Sequence, residues 1–408
     1  MTLFSRKVNI KMANNNQKQT SYSGPILGFV ITTLIGFALY GFLSVIQQTS
    51  NAISVVTIAE NAHSNILYKL LWFLMNFTDP EFYASFLASA FIIFGGVLAW
   101  RLDKKRSKYR GFNVCYGTNM FPWVFGAQVL SAGIAIFVMG YTRDLSATNT
   151  WVPTFITIVG APVAIMYIFG PSVQALLTGS ILGGVISVPI ATWISSTIIP
   201  VIEVPGVVAN VMTMALTGAL LIQVCYVLPW MKKVPMSPID YQEPALSQEE
   251  ELANVKTTKW FVRRAFADFS EAQFYGNEIA GLFVIVGACL DFILFPQIAS
   301  NMLGSILLGQ FVAGGVGILL YHEQYAKQGW YATYVPVVSV APACILAFGG
   351  GIPVALVAGV LGGIISAPTA EFFAKKLPDG FHGTIANVTS MAISTIIVYT
   401  VMNILPCF

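Results

Sequence analysis

Apolar stretches close to 20 residues long recur along the whole chain of 408 residues. A helix needs about 20 apolar residues to cross the hydrocarbon core of a bilayer. Charged residues make up only 10% of the chain, too few to cover a water-exposed surface, because soluble domains carry about 25%. The sequence therefore predicts an all-α polytopic membrane protein with about 11 transmembrane helices. The predicted spans are residues 24–46, 83–100, 121–141, 151–169, 173–198, 207–230, 274–296, 300–321, 331–348, 352–373 and 384–405.

Two further segments are predicted not to span the membrane. Residues 66–77 are apolar, but the stretch is short and contains Lys69, which indicates an interfacial or re-entrant segment. Residues 231–273 contain three prolines and the acidic run 249–251. This composition indicates a linker with a short surface helix and not a catalytic domain.

The positions of Lys and Arg predict the orientation in the membrane. These residues cluster at 101–110, 232–264 and 375–376. If the N-terminus is cytoplasmic and the number of spans is odd, all three clusters lie on the cytoplasmic side, where Lys and Arg are normally in excess. We therefore expect a multi-pass plasma-membrane protein with a cytoplasmic N-terminus and an external C-terminus.

An internal duplication covers most of the chain. The sequence LGGVISVPIA at 182–191 recurs as LGGIISAPTA at 361–370, and GVVANVMTM at 206–214 recurs as GTIANVTSM at 383–391. Shorter matches run upstream in the same order. Collinear matches predict two five-helix repeats. The predicted regions are an N-terminal region with the first helix (1–78), repeat 1 (79–230), a cytoplasmic linker (231–270) and repeat 2 (271–408). Because five is odd, the second repeat is expected to have inverted topology.

This arrangement predicts transport. Inverted-topology repeats are a recurring signature of secondary transporters. The architecture resembles the five-plus-five inverted-repeat carriers of the bile-acid/sodium, sodium/proton antiporter and citrate carrier types. We expect a secondary active transporter of a small polar organic solute, coupled to H⁺ or Na⁺, that works by alternating access. Two alternatives stay open, namely a passive channel for a small neutral solute and the membrane permease subunit of a phosphotransferase-type system.

Other classes of function have less support in the sequence. It contains no evident nucleophile–base pair and no set of metal ligands, so neither an enzyme nor a resident metal or cofactor is expected. The net charge of +3 is small and does not suggest a nucleic-acid partner. The expected partners are the solute and the lipid bilayer, and a homo-oligomer is compatible with the same pattern.

The duplicated LGG[VI]IS[VA]P block lies near the middle of the fourth helix of each repeat. Two glycines followed by Ser and Pro weaken a helix, because Pro lacks a backbone N–H and clashes with the preceding turn. Broken helices in both repeats expose backbone groups to the solute in such carriers. The alternative is that the glycines only allow close helix packing. The predicted helix-breaking residues are Gly183, Gly184, Pro189, Gly362, Gly363 and Pro368.

Paired polar residues within the spans are the candidate solute ligands. They are Ser187, Ser366, Asn210, Asn387, Gln128 and Gln310. The serines belong to the duplicated block. The asparagines open the fifth helix of each repeat, where they either cap the helix or face the solute. The glutamines lie mid-span and are either solute ligands or hydrogen-bonding links between helices.

Three acidic residues within the predicted spans are candidates for ion coupling: Glu278, Asp291 and Glu371. Ionisable side chains are costly inside a membrane and are therefore functional candidates. None of the three has an acidic counterpart in the first repeat, which predicts a proton- or sodium-responsive site in one repeat only. For Glu371 the alternative is a surface role, because Lys375 is close by.

Overall fold

The computed structural model describes residues 23–46, 55–142, 152–241, 246–295, 302–406 and 408. The predicted cytoplasmic N-terminus (1–22) lies outside these ranges. Within them all regular structure is helical. The α-helices are α1 (Ser23–Val45), α2 (Val55–Asn61), α3 (Ile66–Met75), α4 (Phe86–Lys104), α5 (Phe121–Gly133), α6 (Ile156–Val159), α7 (Ala161–Phe169), α8 (Val173–Thr197), α9 (Ile199–Ile202), α10 (Val207–Val227), α11 (Gln248–Val255), α12 (Thr258–Asp268), α13 (Glu278–Leu294), α14 (Leu303–Gln328), α15 (Val340–Phe348), α16 (Ile352–Ala374) and α17 (Thr384–Ile404).

Eight helices among the described residues are long and apolar enough to cross a membrane. They are α1, α4, α5 with its π-helical extension to Val138, α8 with α9, α10, α14, α16 and α17. Large apolar side chains such as Leu34, Phe94 and Ile181 are exposed on these helices, which suits contact with lipid tails. Most of α14 is buried, which places this helix inside the bundle. The protein is therefore a membrane-embedded helical protein.

Among the described residues, fewer helices reach the length and apolar character of a span than the predicted eleven. One predicted span, 274–296, forms the 17-residue helix α13. The predicted spans 151–169 and 331–348 are not continuous helices, and this part of the prediction is wrong. The first divides at Gly160 into α6 and α7. The second forms irregular turns up to Ser339 and only then begins α15.

Both half-helices begin in a way that the sequence explains. Pro162 and Pro342 lie in the first turns of α7 and α15. A proline is tolerated there because the first N–H groups of a helix have no intrahelical acceptor. Gly160 and Ser339, which precede α7 and α15, lie outside the helical conformation, so two apolar stretches that are long enough to span become partly irregular.

Helix α12 is mostly buried, whereas the ten-residue helix α3 buries only Trp72 and Met75 and exposes Ile66, Leu67 and Leu70. For α3 this agrees with a segment that does not span. Within 231–273, the largely exposed helix α11 fits the predicted short surface helix, whereas a second helix, α12, packs against α1 and α13. Its Phe261 side chain is fully buried against Gly28 of α1, where a β-carbon would overlap the ring.

Helices α3 and α12 each lead into a buried turn. We call residues 76–85 turn I and residues 268–277 turn II. Turn I has the sequence NFTDPEFYAS and turn II has DFSEAQFYGN. Both turns end at an N-cap of the following helix. The Ser85 hydroxyl accepts from the N–H of Ala88 at the start of α4, and the Asn277 side chain accepts from Ile279 N–H at the start of α13.

Helices α4 and α13 pack closely against each other through a reciprocal pair of glycines. A β-carbon on Gly95 would lie 2.9 Å from Ala280 Cα, and one on Gly287 would lie 2.7 Å from Ala88 Cα. Glycine is needed at both positions because the neighbouring backbone occupies the space of a side chain. The two contacts are the same contact with the roles of the helices exchanged.

Candidate functional site

Two cavities penetrate the bundle. Cavity I has a volume of about 440 Å³ and reaches Gly206, at the start of α10. Cavity II has a volume of about 690 Å³ and reaches Gly383, at the start of α17. The helices α10 and α17 are antiparallel, because Tyr226 near the end of α10 donates to the carbonyl of Gly380 just before α17. The cavities therefore enter from opposite ends of the bundle.

A partition of three residues separates the cavities, since Phe274, Tyr334 and Thr384 line both. The Phe274 ring stacks on Tyr167 at a centroid distance of 5.7 Å and lies 6.1 Å from the His382 ring. The N–H of Thr384 donates to His382 Nδ1 at 3.3 Å. One layer of mostly aromatic side chains thus interrupts a path through the molecule.

The turns hold the cavity-lining phenylalanines in an unusual backbone conformation. Phe82 of turn I lines cavity I, and Phe274 of turn II lines both cavities. Each has φ of +65°, which is a genuine outlier for a bulky side chain. Such strain persists only where surrounding contacts enforce it, and it concentrates at functional sites.

Hydrogen bonds between the two halves of the chain fix both turns. Tyr83 of turn I donates to Gln310 Oε1 at 2.7 Å, and Tyr275 of turn II donates to Gln128 Oε1 at 3.0 Å. Gln310 Nε2 donates to the Glu81 carbonyl, while Gln128 Nε2 donates to that of the corresponding residue of turn II. Both glutamines are fully buried and line neither cavity. These hydrogen bonds join a helix to a turn, which suits the predicted role of a link, and a role as solute ligand stays a prediction.

The asparagine pair lies at the cavities. Asn210 lines cavity I and Asn387 lines cavity II. Each belongs to the first turn of its helix, and neither is the N-cap residue, because the caps are Gly206 and Gly383. Their role as solute ligands stays a prediction, and their positions suit it.

The serines and prolines of the duplicated block lie elsewhere. Helices α8 and α16 continue through Pro189 and Pro368, so the prediction of broken helices at these prolines is wrong. Ser187 and Ser366 are buried, line neither cavity, and have hydroxyl groups without a hydrogen-bond partner among the described residues.

Tyrosine hydroxyls explain why the helices remain intact. A proline inside a helix leaves the carbonyl four residues earlier without its donor. For Pro189 this is the Val185 carbonyl, to which the Tyr141 hydroxyl donates at 3.0 Å. In α16 the Tyr321 hydroxyl donates at 2.6 Å to Ile364, four residues before Pro368.

The glycines of the block are packing positions. A β-carbon on Gly184 would lie 2.6 Å from the Ser131 carbonyl oxygen, and one on Gly363 would lie 2.7 Å from that of Ala313. Gly183 lies against the ring of Pro162, in the first turn of α7. Gly362 lies against Pro336 and Val340, around the start of α15. These contacts support the alternative role of the block, which is close packing.

The three predicted coupling acids line neither cavity. Glu278 accepts from Arg263 Nε and from the backbone N–H of Phe112, both at 2.7 Å. Glu371 pairs with Lys375 at 2.6 Å. Asp291 is buried, and its Oδ1 has no hydrogen-bond partner among the described residues. Glu278 and Glu371 are therefore paired with cationic side chains, whereas the ion-coupling role of Asp291 stays a prediction.

The acids that do line the cavities were missed by the search within predicted spans. Asp79 of turn I lines cavity I, and the corresponding Glu271 of turn II lines cavity II, as does Glu251 of α11. The signal that identifies the first two is the similarity of the two turn sequences, in which Asp79 and Glu271 occupy the same position.

Glu271 belongs to a buried ionic cluster with Arg264 and Asp268. Arg264 Nη2 donates to both carboxylates, and Tyr116 Oη and Trp330 Nε1 donate to Glu271 Oε1. Desolvation raises the pKa of Asp268 to about 6, and the Arg264 charge opposes this rise. Arg264 is thus fully engaged by carboxylates.

The positions that correspond to Arg264 and Asp268 are uncharged in the first half, where they are Trp72 and Asn76. Trp72 Nε1 donates to Thr154 Oγ1 at 3.0 Å, and Thr154 Oγ1 donates to Asn76 Oδ1 at 2.7 Å. Turn I at cavity I and turn II at cavity II therefore share a backbone conformation but differ in the charge of the residues around them. No protein-family model and no curated protein matches this chain.

Proposed function

We propose that the protein is a secondary active transporter that moves a small polar organic solute by alternating access, with H⁺ or Na⁺ as the coupling ion. The observation that carries the proposal is the pair of cavities, which enter from opposite ends and meet at the partition of Phe274, Tyr334 and Thr384. A carrier needs a solute path that is closed by a thin, movable layer.

We further propose that two inverted repeats form this carrier and that they begin earlier than residues 79 and 271. Helices α2 and α3 precede turn I as α11 and α12 precede turn II. The support is reciprocity, because Tyr83 bonds Gln310 where Tyr275 bonds Gln128, and Gly95 and Gly287 make exchanged contacts. In a two-fold arrangement, if position i contacts position j, then j contacts i.

The half-helices suit the same mechanism. Pro153 and Phe155, just before α6, line cavity I, and Tyr334, before α15, lines both cavities. Irregular backbone at membrane depth is tolerated where it is buried in protein or lines a cavity. In transporters built from inverted repeats, discontinuous helices commonly form the solute site.

The distribution of charge supports an orientation. Cavity II is lined by Phe112 and by residues of α11, next to the Lys- and Arg-rich segments 101–110 and 232–264. By the positive-inside rule, cavity II faces the cytoplasm of a plasma-membrane protein and cavity I faces outward.

Cysteine accessibility tests the proposal. In a variant without native cysteines, Ser195→Cys reports on cavity I, Asn254→Cys on cavity II, and Gln248→Cys, at the exposed start of α11, serves as control. The variants are placed in proteoliposomes and labelled from each side with a membrane-impermeant thiol reagent. Solutes come from a metabolite panel screened by thermal shift with and without Na⁺ and at several pH values.

We expect Ser195→Cys to react only from outside and Asn254→Cys only from inside. A bound solute or an imposed H⁺ or Na⁺ gradient should raise one reactivity while lowering the other. If both cysteines remain reactive under every condition and their rates never change in opposite directions, a passive channel is the better explanation.

A further inference from the structure

Glu81 places a carboxyl group where the two turns meet. Glu81 of turn I and Gln273 of turn II occupy the same position in the two turn sequences, and both side chains are fully buried. Gln273 Nε2 donates to Glu81 Oε1 at 2.9 Å and to Oε2 at 2.8 Å. Under the proposed two-fold relation, equivalent positions that contact each other lie at the axis between the repeats.

The pair lies directly behind the wall of cavity I. Neither Glu81 nor Gln273 lines a cavity, but Pro80 and Phe82, on either side of Glu81, both line cavity I. Phe274, which follows Gln273 in the chain, belongs to the partition between the cavities. A movement of either turn that opens the partition therefore moves the carboxyl group or its hydrogen-bond donor.

No cation among the described residues pairs with the Glu81 carboxyl group. The titratable groups that face it are Asp79 and Tyr83 of turn I and Tyr275 of turn II. Both tyrosine hydroxyls donate to glutamine side chains, and α14 contributes a neutral amide. Burial raises the pKa of Glu81 from 4.5 to about 8, the hydrogen bond from turn II opposes this rise, and the Asp79 charge adds to it. An ionised Glu81 is strongly unfavourable here, because burial removes its hydration and no cation replaces it.

The amide of Gln273 has an unused acceptor. Its Oε1 is buried and accepts no hydrogen bond among the described residues, while its Nε2 also donates to the Phe77 carbonyl at 2.8 Å. An ionised carboxylate only accepts hydrogen bonds, whereas a protonated one has an O–H donor. The O–H of a neutral Glu81 can donate to Oε1 while its other oxygen accepts from Nε2. The polar groups around Glu81 thus match its neutral form.

The same geometry distinguishes H⁺ from Na⁺. A hard metal cation binds through several oxygen ligands. Here a nitrogen donor is directed at both oxygens of Glu81, where such a cation would bind. A proton needs only one of these oxygens, and it removes the charge that makes burial unfavourable.

We propose that Glu81 is the proton-coupling residue of the carrier, protonated while turns I and II are closed on each other and deprotonated when they separate. The inference rests on the proposed transport function and names H⁺ as its coupling ion. A hydronium ion in cavity I gives one proton to a Glu81 oxygen and becomes water. The neutral carboxyl group is then enclosed. After the partition opens toward cavity II, the O–H bond breaks and a water molecule takes the proton, so one positive charge crosses per cycle.

Infrared spectroscopy of the purified full-length protein tests the protonation directly. A protonated carboxyl group has a C=O stretching band that is lost on ionisation, and spectra are recorded from pH about 6 to about 10, on either side of the Glu81 pKa. We expect the wild-type protein to lose a band as the pH rises through about 8, and Glu81→Gln to lack this change. Asp379→Asn, at an exposed acid outside both cavities, should behave as wild type. The same loss of band in folded Glu81→Gln and in wild type would overturn the proposal.

An exchange of the two side chains provides a second variant. Glutamine already occupies the equivalent position of turn II, so turn I should accommodate Glu81→Gln, and the thermal midpoint of each variant establishes folding. Combining Glu81→Gln with Gln273→Glu keeps a carboxyl group against an amide and should restore the titrating band. This variant also decides the question if Glu81→Gln alone fails to fold. A folded exchanged protein without the band would overturn the assignment of the proton to this junction.

The cysteine assay tests coupling. Reactivity of Ser195→Cys is compared with and without Glu81→Gln at each pH, so that the pH dependence of the thiol itself cancels. We expect an imposed H⁺ gradient to change the reactivity of Ser195→Cys alone and to have no effect when Glu81→Gln is added. A response to the H⁺ gradient that is equal in both backgrounds would overturn the coupling role.

The outcomes separate this inference from the transport proposal. Opposite changes in cysteine reactivity that follow a Na⁺ gradient and persist in Glu81→Gln would retain alternating access and reject Glu81 as the coupling residue. A titrating band that depends on Glu81, without opposite changes in reactivity, would retain the buried proton site and reject alternating access.

Discussion

The Gln310 side chain links the two halves of the chain, and its removal is expected to weaken the fold more than removal of its hydrogen-bond partner. Gln310 accepts from Tyr83 Oη at 2.7 Å and donates to the carbonyls of Glu81 and Val337 at 3.2 and 2.9 Å. Gln310→Leu keeps the approximate side-chain volume and leaves three buried polar groups without this partner. Each such group costs about 1–3 kcal/mol, so the loss should be at least about 3 kcal/mol.

A double-mutant cycle isolates the bond between the halves. Tyr83→Phe removes one hydrogen bond and should cost about 1–2 kcal/mol. The coupling free energy between Tyr83→Phe and Gln310→Leu should lie between about 0.5 and 1.7 kcal/mol, as for other hydrogen bonds in membrane proteins. The equivalent pair, Tyr275→Phe with Gln128→Leu, should give a coupling of the same sign and similar size, because it makes the same contact at 3.0 Å.

The assay is unfolding in micelles of mixed mild and denaturing detergent, followed by intrinsic fluorescence. The matched control combines Tyr83→Phe with Gln128→Leu, which do not share the hydrogen bond and should be additive within about 0.5 kcal/mol. A control coupling as large as that of the two matched pairs, or matched couplings near zero, would refute the reciprocal arrangement of the two halves.

Three further predictions follow from the packing and the buried polar groups. Gly95→Ala and Gly287→Ala should each lower the free energy of unfolding by about 1–3 kcal/mol, because a β-carbon at either position meets the backbone of the opposite helix. Gly41→Ala in α1, where a β-carbon would have nothing within 4 Å, should instead stabilise the protein by about 0.5–1 kcal/mol. Equal effects of the three substitutions in the same unfolding assay would contradict this. Tyr321→Phe should cost about 1 kcal/mol of unfolding free energy, because it leaves the Ile364 carbonyl without a donor. In a Pro368→Ala background this cost should disappear, because alanine, unlike proline, has a backbone N–H that can donate to the same carbonyl. An equal cost in both backgrounds would show that the tyrosine acts in another way. Burial lowers the pKa of His382 to about 4 from its ordinary 6.5, so between these pH values the unfolded chain binds a proton that the folded chain does not. The free energy of unfolding should therefore fall by at most about 3 kcal/mol as the pH falls through this window. The pH dependence of the thermal midpoint across the window should be weaker in His382→Asn, and an unchanged slope would exclude this residue as the cause.

The locations of the strained and charged residues show where sequence patterns are least informative. Asp79 and Glu271 lie in turns between helices, so a search for acids within apolar spans does not reach them. Glu278 lies at a helix start, where Arg263 neutralises it. Whether an acid faces a cavity or a cation depends on which turn packs against which helix, and this is a property of long-range contacts.

The role of proline also depended on its surroundings. Pro189 and Pro368 have the local sequence of helix breakers, but each helix remains continuous because a tyrosine from another element donates to the carbonyl that proline leaves free. The real interruptions lie before Pro162 and Pro342, at the starts of α7 and α15. In a membrane every backbone group must find a partner, so an interruption forms where neighbouring side chains supply these partners.

The sequence alone determined the helical, membrane-embedded class of this protein and the approximate extents of α1, α4, α8, α10, α14, α16 and α17, because the length of an apolar stretch is a local property matched to bilayer thickness. It also contained the paired positions of Gln128 and Gln310, although not their partners. Only the tertiary structure decided that residues 331–339 are irregular and that two cavities meet at Phe274, Tyr334 and Thr384. An apolar segment satisfies hydropathy equally well as helix or as buried turn, and the choice depends on donors from other helices, such as the Gln310 amide at the Val337 carbonyl.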